Sequence, residues 1–404
     1  MTERSTNWAG VAFGVSLASL AAFQQFKLPP VLPLLLERYG YDRLVAGGFM
    51  SIYALVGLAA SIAIGRWIER RGMTNALAWA TAVMVAGNFV GLLLPQSAAA
   101  MLLGRGLEGV SFSIAAIIGP ALAGASASPR HRPFAIALSS AWIPIGQIAA
   151  GLLAPLALHI DHWEWLWYAG ILGTFAVYAW SRQLARDGTF GGGRGAGGGG
   201  AGGTNATNAG ERRALFANAA IFMLWSCQYF AYMTWLPQYL VEARALGAIA
   251  AVFGYLLPVV VLLIFNLLTG EALRRGVPVA PLLAAGTALQ ALVWWLTPLS
   301  DDAGFGIALL IGYGVAAGVT PTCLFALPGI ILGGPAGPRA FAGVMTGRNI
   351  GVFAGPILLA AAMQGSGGWA IAVPIFGAIS TVCAGGAALL ALRLGRPAPA
   401  ARPG

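Results

Sequence analysis

Charge is what this sequence has least of. Charged residues make up 9% of the 404, and lysine occurs once, at Lys27. A soluble domain carries about a quarter charged residues. A water-exposed surface cannot be assembled from this chain, which excludes a soluble enzyme or regulator. Histidine is nearly as scarce, with three residues, and so is cysteine, at Cys227, Cys323 and Cys383. The cysteines lie in apolar runs without CxxC spacing and read as small buried apolar residues, not as a disulfide or metal site. His131 falls in a loop, and His159 and His162 flank an outer turn. No metal and no cofactor is expected. What the chain has in excess is apolar: hydrophobic residues make up 58%, with a mean hydropathy of +0.77. That excludes disorder as well. The first apolar run, after Arg4, is too long for a cleavable signal.

Runs long enough to cross a bilayer, about 20 apolar residues each, fall at 9–36, 44–65, 75–95, 99–125, 134–158 and 165–182. A second set falls at 215–240, 248–268, 279–297, 304–332, 340–364 and 370–392. The fold expected is an all-α polytopic membrane protein of twelve transmembrane helices in two six-helix bundles. The basic residues test the count. Of the 23, 22 are arginine. With the N-terminus in the cytoplasm, the inner segments take Arg4, Arg66, Arg70, Arg71, Arg130, Arg132, Arg182, Arg186, Arg194, Arg212, Arg213, Arg274, Arg275, Arg339, Arg393, Arg396 and Arg402. The outer segments take only Arg38, Arg43 and Arg244. Seventeen against three follows the positive-inside rule and places both termini in the cytoplasm. The net charge of +10 is thereby explained by topology, and no nucleic-acid partner is implied.

Residues 1–182 form the expected N-terminal bundle, 183–214 a cytoplasmic linker and 215–404 the C-terminal bundle. Eleven of the sixteen residues from 188 to 203 are glycine. No strand precedes this stretch and no GK[ST] follows it, so it reads as a flexible coil reaching about 30 Å, not a phosphate loop. The halves also resemble each other. At an offset of 204, Gln24 falls on Gln228, Phe26 on Phe230, Leu32 on Leu236, Pro33 on Pro237 and Leu36 on Leu240. Five matches in one window point to a parallel internal repeat with a pseudo-two-fold axis.

The loop after the second run reads Gly65-Arg-Trp-Ile-Glu69-Arg70-Arg71-Gly72. It resembles the G-x-x-x-D-R-x-G signature of the major facilitator superfamily, with Glu69 in place of the aspartate. The fourth run carries Arg105-Gly-Leu-Glu108-Gly109, similar to the superfamily's R-x-x-Q/E-G element. The second copy of the loop signature, around Gly270 to Gly276, is degenerate, with Leu273 where the acid would fall. The fifth run has Pro144, Gly146, Gly151 and Pro155 but lacks the clustered G-P-x-x-G-G of drug–proton antiporters. The stretch from Arg105 through Gln147 looks loosely like cyanate- and organic-anion-type members. This resemblance implies alternating access, a monomer, and a conformational latch at Gly65, Glu69, Arg70, Arg71 and Gly72. On the residues alone, Gly65 and Gly72 would permit a tight turn, and Glu69 would suit the positive end of the third helix.

An ionisable group at bilayer depth is costly and is a functional hypothesis by default. There are four. Lys27 lies about 15 Å of helix from the outer end, with Gln24 one turn below, and is expected to contact an anion. The alternative is a lysine snorkelling to the interface, if Pro29 and Pro30 end the helix early. Arg348 lies about 12 Å from the inner end of the eleventh run, about 100° round from a ladder of Gly343, Gly347, Gly351 and Gly355 suited to close packing. A guanidinium grips a carboxylate bidentately. Arg105 and Glu108, at i and i+3, face each other. Glu108 is the single expected proton carrier: burial favours its neutral form and Arg105 its charged form, so arriving substrate would tip the balance. The alternative is a permanent ion pair. Gln24, Gln228, Tyr232 and Asn349 are expected to complete the substrate site, with Tyr53 and Tyr229 as further candidates. Trp163, Trp165 and Trp167 read as an interfacial belt.

Three buried cations against one buried anion leave an excess of positive charge that an anionic ligand would offset. The expectation is a secondary transporter of a small, carboxylate-like organic anion in the inner or plasma membrane of a bacterium, taking it up with protons. The alternative is efflux of apolar or cationic compounds. An intramembrane enzyme would need a nucleophile with a base; no histidine lies at depth, and Glu108 is already matched with Arg105.

Overall fold

A computed structural model describes residues 5–128, 130–188, 208–333, 338–366 and 368–394. Among these the chain is helical, without strands. The N-terminal half holds α1 (Trp8–Phe26), α2 (Leu28–Tyr39), α3 (Arg43–Arg71), α4 (Met73–Leu93), α5 (Ala98–Ser126), α6 (Arg132–Ser140), α7 (Trp142–His159) and α8 (Glu164–Arg186). The C-terminal half holds α9 (Ala209–Glu242), α10 (Ala248–Arg274), α11 (Val279–Leu296), α12 (Ala303–Ile331), α13 (Pro338–Ser366) and α14 (Ala372–Leu394). Each expected run coincides with one helix or one broken pair. Among the described residues ten helical stretches are long and apolar enough to span a bilayer, and eleven if α3, bent by 68° between Ala59 and Ala63, counts as one. The sixth expected run is covered by α8, which is long enough but too polar to pass the same test. Most of the glycine-rich linker, 189–207, and both chain ends, 1–4 and 395–404, lie outside the described residues.

The first span is broken where the prolines demand it. Pro29 and Pro30 have no N–H to give, so the carbonyls of Gln25 and Phe26 lose their helical partners. α1 ends at Phe26, Lys27 forms the joint, and α2 restarts with both prolines in its first turn. The chain then continues as one 32-residue span. Lys27 therefore sits at depth with no exposed surface, and the snorkelling alternative fails.

Inside a membrane, helices associate by close packing more than by the hydrophobic effect. The ladder on α13 shows this. A Cβ on Gly351 or Gly355 would collide with the carbonyls of Met223 and Cys227 on α9, so only glycine allows these backbones to touch. Gly343 departs from the ladder: nothing lies within 4 Å of the Cβ it lacks.

The two halves meet along α3 and α13, α7 and α10, and α2 and α9. Here "outer" denotes the ends poor in arginine. At the outer ends Arg43 of α3 pairs with Glu242 of α9 at 2.8 Å. Glu242 also accepts from Gln238 at 2.6 Å and from the Trp369 indole at 2.8 Å, and Gln364 donates to Asp42. At the inner ends no ion pair crosses between the halves among the described residues. α3 and α13 are in backbone contact at Gly47 and Pro356, whereas Gly65 has no neighbour within 4 Å of a Cβ position. Polar side chains clasp the outer ends; on the inner side Ser140 of α6 bonds Asn266 of α10 at 3.3 Å.

Two sequence expectations are corrected here. Trp163 and Trp167 are fully buried; only Trp165, at 54% exposure, faces outward. The Trp163 indole donates to the Tyr39 hydroxyl at 3.1 Å and its ring meets Trp167 edge-on, so these two rings fill the bundle and do not belt it. Gly65 makes no turn. It lies inside α3, and Gly72 alone, at φ +79°, carries the chain from α3 to α4.

Candidate functional site

The charged groups of the N-terminal half gather at one point. Lys27 has three N–H donors, and all three are used: Gln24 Oε1 at 2.6 Å, Asn88 Oδ1 at 2.5 Å and Glu108 Oε1 at 3.0 Å. Its ammonium also lies 4.4 Å from the centre of the Trp167 ring, a cation–π contact. The other carboxylate oxygen of Glu108 accepts from Arg105 at 2.6 Å and from the Tyr53 hydroxyl. Arg105 gives its remaining donors to the carbonyls of Phe49 at 3.2 Å, Gln24 at 2.8 Å and Gln25 at 2.7 Å and to the Met50 sulfur at 3.7 Å. The Gln25 carbonyl is one of those that the prolines released, so the break in the first span is what makes room for the arginine. Lys27, Arg105 and Glu108 are all 0% exposed. A buried ion pair survives only when every partner is satisfied, and this one is. It still carries two cations and one anion.

This arrangement corrects the expected grouping. Lys27 and Gln24 do not stand beside Arg348 as open substrate contacts. Lys27 is held inside its own bundle, and Gln24 bridges it to Thr174, donating at 3.2 Å.

Gln228, the repeat mate of Gln24, is likewise internal to its half. Its carbonyl oxygen accepts from the Trp294 indole and the Tyr313 hydroxyl, each at 2.9 Å, and its amide donates to the Trp225 carbonyl at 3.0 Å. Tyr232 stacks on Tyr313 with ring centres 3.7 Å apart. The C-terminal half thus fills with rings and the amides of Gln228 and Gln290 the place where the N-terminal half keeps charge.

Arg348 and Asn349 do come together, at the junction of the halves. The Arg348 guanidinium donates to Asn349 Oδ1 at 3.0 Å and lies 5.6 Å from the Phe230 ring. It is 8% exposed and has no carboxylate partner among the described residues. Phe230 in turn packs on Phe26, its repeat mate, with centres 5.8 Å apart. Next to Phe230, the Tyr229 hydroxyl donates to Gln147 Oε1 of α7 at 3.0 Å. Tyr229 stacks at 4.9 Å on Trp225, whose indole N–H is buried without a partner. Gln147, Trp225 and Phe230 were not among the expected site residues. The only available signal was spacing: Trp225 and Tyr229 are one helical turn apart.

Glu69, Arg70, Arg71 and Gly72 are exposed at the inner end, and none of the three charged residues makes an ion pair among the described residues. The three cysteines are free and buried.

Among the described residues the chain is helical, with ten or eleven stretches fit to span a bilayer and charge buried where its halves meet, as in a membrane transporter. The sequence profile of the Major Facilitator Superfamily matches residues 14–333, and the chain belongs to that superfamily. Among the solved structures it resembles is the crystal structure of a D-xylose–proton symporter, at a TM-score of 0.73 and 13% identity over 98% of each chain. At that identity the likeness shows the fold alone. No curated protein matches the sequence closely enough to count as a relative.

Proposed function

We propose that this transporter carries a small organic anion, of carboxylate character, into the cell together with protons. One observation carries the reading. Arg348 is a buried guanidinium at the junction of the halves, with a neutral amide and a ring for company and no counter-ion among the described residues. A cation at bilayer depth is costly unless paired, and an anionic substrate supplies the pair. The Asn349 amide and the unpartnered Trp225 indole offer further donors near it. Glu108 is the proton carrier. The two halves rock about this junction as twelve spans in two bundles, with 183–214 as the linker. The protein works as a monomer with both ends in the cytoplasm, and the latch from Gly65 to Gly72 closes the inner ends when the outer clasp opens.

A thermal-stability screen in detergent tests this against small acids, neutral sugars and organic cations. A ligand specific for the folded protein at about 100 times its Kd adds about 2.7 kcal/mol. The anion reading requires that carboxylates raise the midpoint and that Arg348→Ala abolishes the effect. The sugar arm matters because the Trp225–Tyr229 stack with Gln147 would also suit a neutral hydroxylated solute, and the similar structure is titled a D-xylose symporter. Stabilisation by cations alone would favour efflux.

A further inference from the structure

A cavity of about 30 Å³ lies inside the N-terminal half, bounded by α1, α4, α5 and α8. It stands apart from the junction with the C-terminal half. Its lining runs from Phe13 to Ala21 on α1, from Leu77 to Met84 on α4 and from Thr174 to Ser181 on α8. Each stretch belongs to the inner part of its helix. The cavity ends one helical turn below the charged cluster on three helices: Ala21 precedes Gln24, Met84 precedes Asn88, and Ser111 follows Glu108. On the fourth helix, Thr174 lines the cavity and accepts from Gln24. Such a volume holds about two waters where polar partners exist. Here they do. Thr81, Ser111 and Tyr178 line it, and their hydroxyls have no protein partner among the described residues. A threonine inside a helix ordinarily returns its hydroxyl to a carbonyl of the preceding turn, as Thr174 does at 2.7 Å. Thr81 does not.

We infer that this cavity is a proton passage. It links Glu108 to the cytoplasm through the interior of one bundle, separate from the path the substrate takes between bundles. The inference rests on the reading of Glu108 as the proton carrier. The O–H bond of protonated Glu108 breaks, the proton passes to a cavity water as hydronium, and that water hands it inward. The carboxylate left behind is taken up by the donors that face it: Lys27 from the α1–α2 joint, Arg105 from α5 and Tyr53 from α3. Asn88 of α4 and Trp167 of α8 complete its surroundings and carry no charge. The Gln24 amide, held between Lys27 and Thr174, stands at the head of the passage and sets how readily water reaches the cluster.

Infrared spectroscopy of the full chain in lipid nanodiscs tests this without knowledge of the substrate, with deuterated water as the probe. The carboxyl band of Glu108 is assigned by its loss in Glu108→Gln. Its response is then timed after a jump in pH. Ser111→Leu, which fills the cavity, is expected to slow that response by about tenfold, the effect of about 1.4 kcal/mol on a barrier. Thr81→Val removes one unpartnered hydroxyl at nearly constant volume and is expected to slow it by less. It stands in if the leucine variant does not fold. A Glu108 response of unchanged rate in the variants overturns the passage and leaves the carrier reading intact. A chain in which no Glu108 band responds to pH overturns both.

Discussion

Lys27 and Glu108, 81 positions apart in the chain, meet at 3.0 Å with neither side chain exposed. The contact joins the break in the first span to the middle of the fourth, and Arg105 shares the same carboxylate. Removing the anion leaves two facing cations without compensation.

Glu108→Gln is therefore expected to destabilise the protein by about 3–5 kcal/mol, the usual loss when one partner of a buried pair is removed. Adding Lys27→Met should recover part of that loss, since one unpaired cation is then gone. Detergent unfolding of the wild type, both single variants and the double variant measures the coupling. Losses that simply add would mean the pair is not a unit.

Arg348 should behave differently, because among the described residues it has no carboxylate partner to lose. Arg348→Ala is expected to leave unfolding in the absence of ligand nearly unchanged while erasing stabilisation by anions. Arg348→Lys should keep part of it, as a point charge without the bidentate fork. A ligand titration followed by thermal unfolding checks both.

The contact of α9 with α13 tolerates no side chain at Gly351. Gly351→Val is expected to lower stability by at least about 1–3 kcal/mol, the cost of overpacking, since the obstacle is the Met223 carbonyl and backbone cannot swing aside. Gly343→Val, about two turns inward, should be nearly neutral, as nothing lies within 4 Å of its Cβ position. Monodispersity on size exclusion and the unfolding midpoint separate the two.

The outer clasp is half exposed and each of its bonds is weak, worth about 0.2–1 kcal/mol. Its removal should therefore shift populations without unfolding the protein. Glu242→Ala removes the partner of Arg43, Gln238 and Trp369 together. A loss of about 1 kcal/mol raises the outward-open fraction about fivefold. Cysteine at Met363, whose sulfur lies 4.0 Å from Arg43, reports the opening through its rate of labelling by an impermeant maleimide. An unaltered rate would show that the clasp does not hold the outer ends shut.

Much of the fold was legible in the sequence, because its main constraint is local. A run of about 20 apolar residues spans, whatever its neighbours do, and the expected runs agree with the helices to within a few residues. The superfamily was legible too, through Gly72, Arg105 and Glu108 at their expected places. The pairing of Arg105 with Glu108 followed from a spacing of three on one helix. The cluster as a whole did not. Nothing in the sequence ties Lys27 to Asn88, 61 positions away, or sends the freed Gln25 carbonyl to Arg105. The tryptophans at 163 and 167 read as an outer belt because composition does not say which face of a helix turns inward.

The sequence by itself determined what must cross the membrane and how few charges lie at depth. Those follow from hydropathy, which acts within one segment. Only the tertiary structure decided which charges are spent and which remain free. Lys27 was expected at the substrate and is closed off by three oxygens; Arg348, with the same sign of charge, keeps only an amide and a ring. Whether a buried cation is satisfied depends on acceptors brought to it by other helices, and that is a property of the packing, not of the segment that carries it.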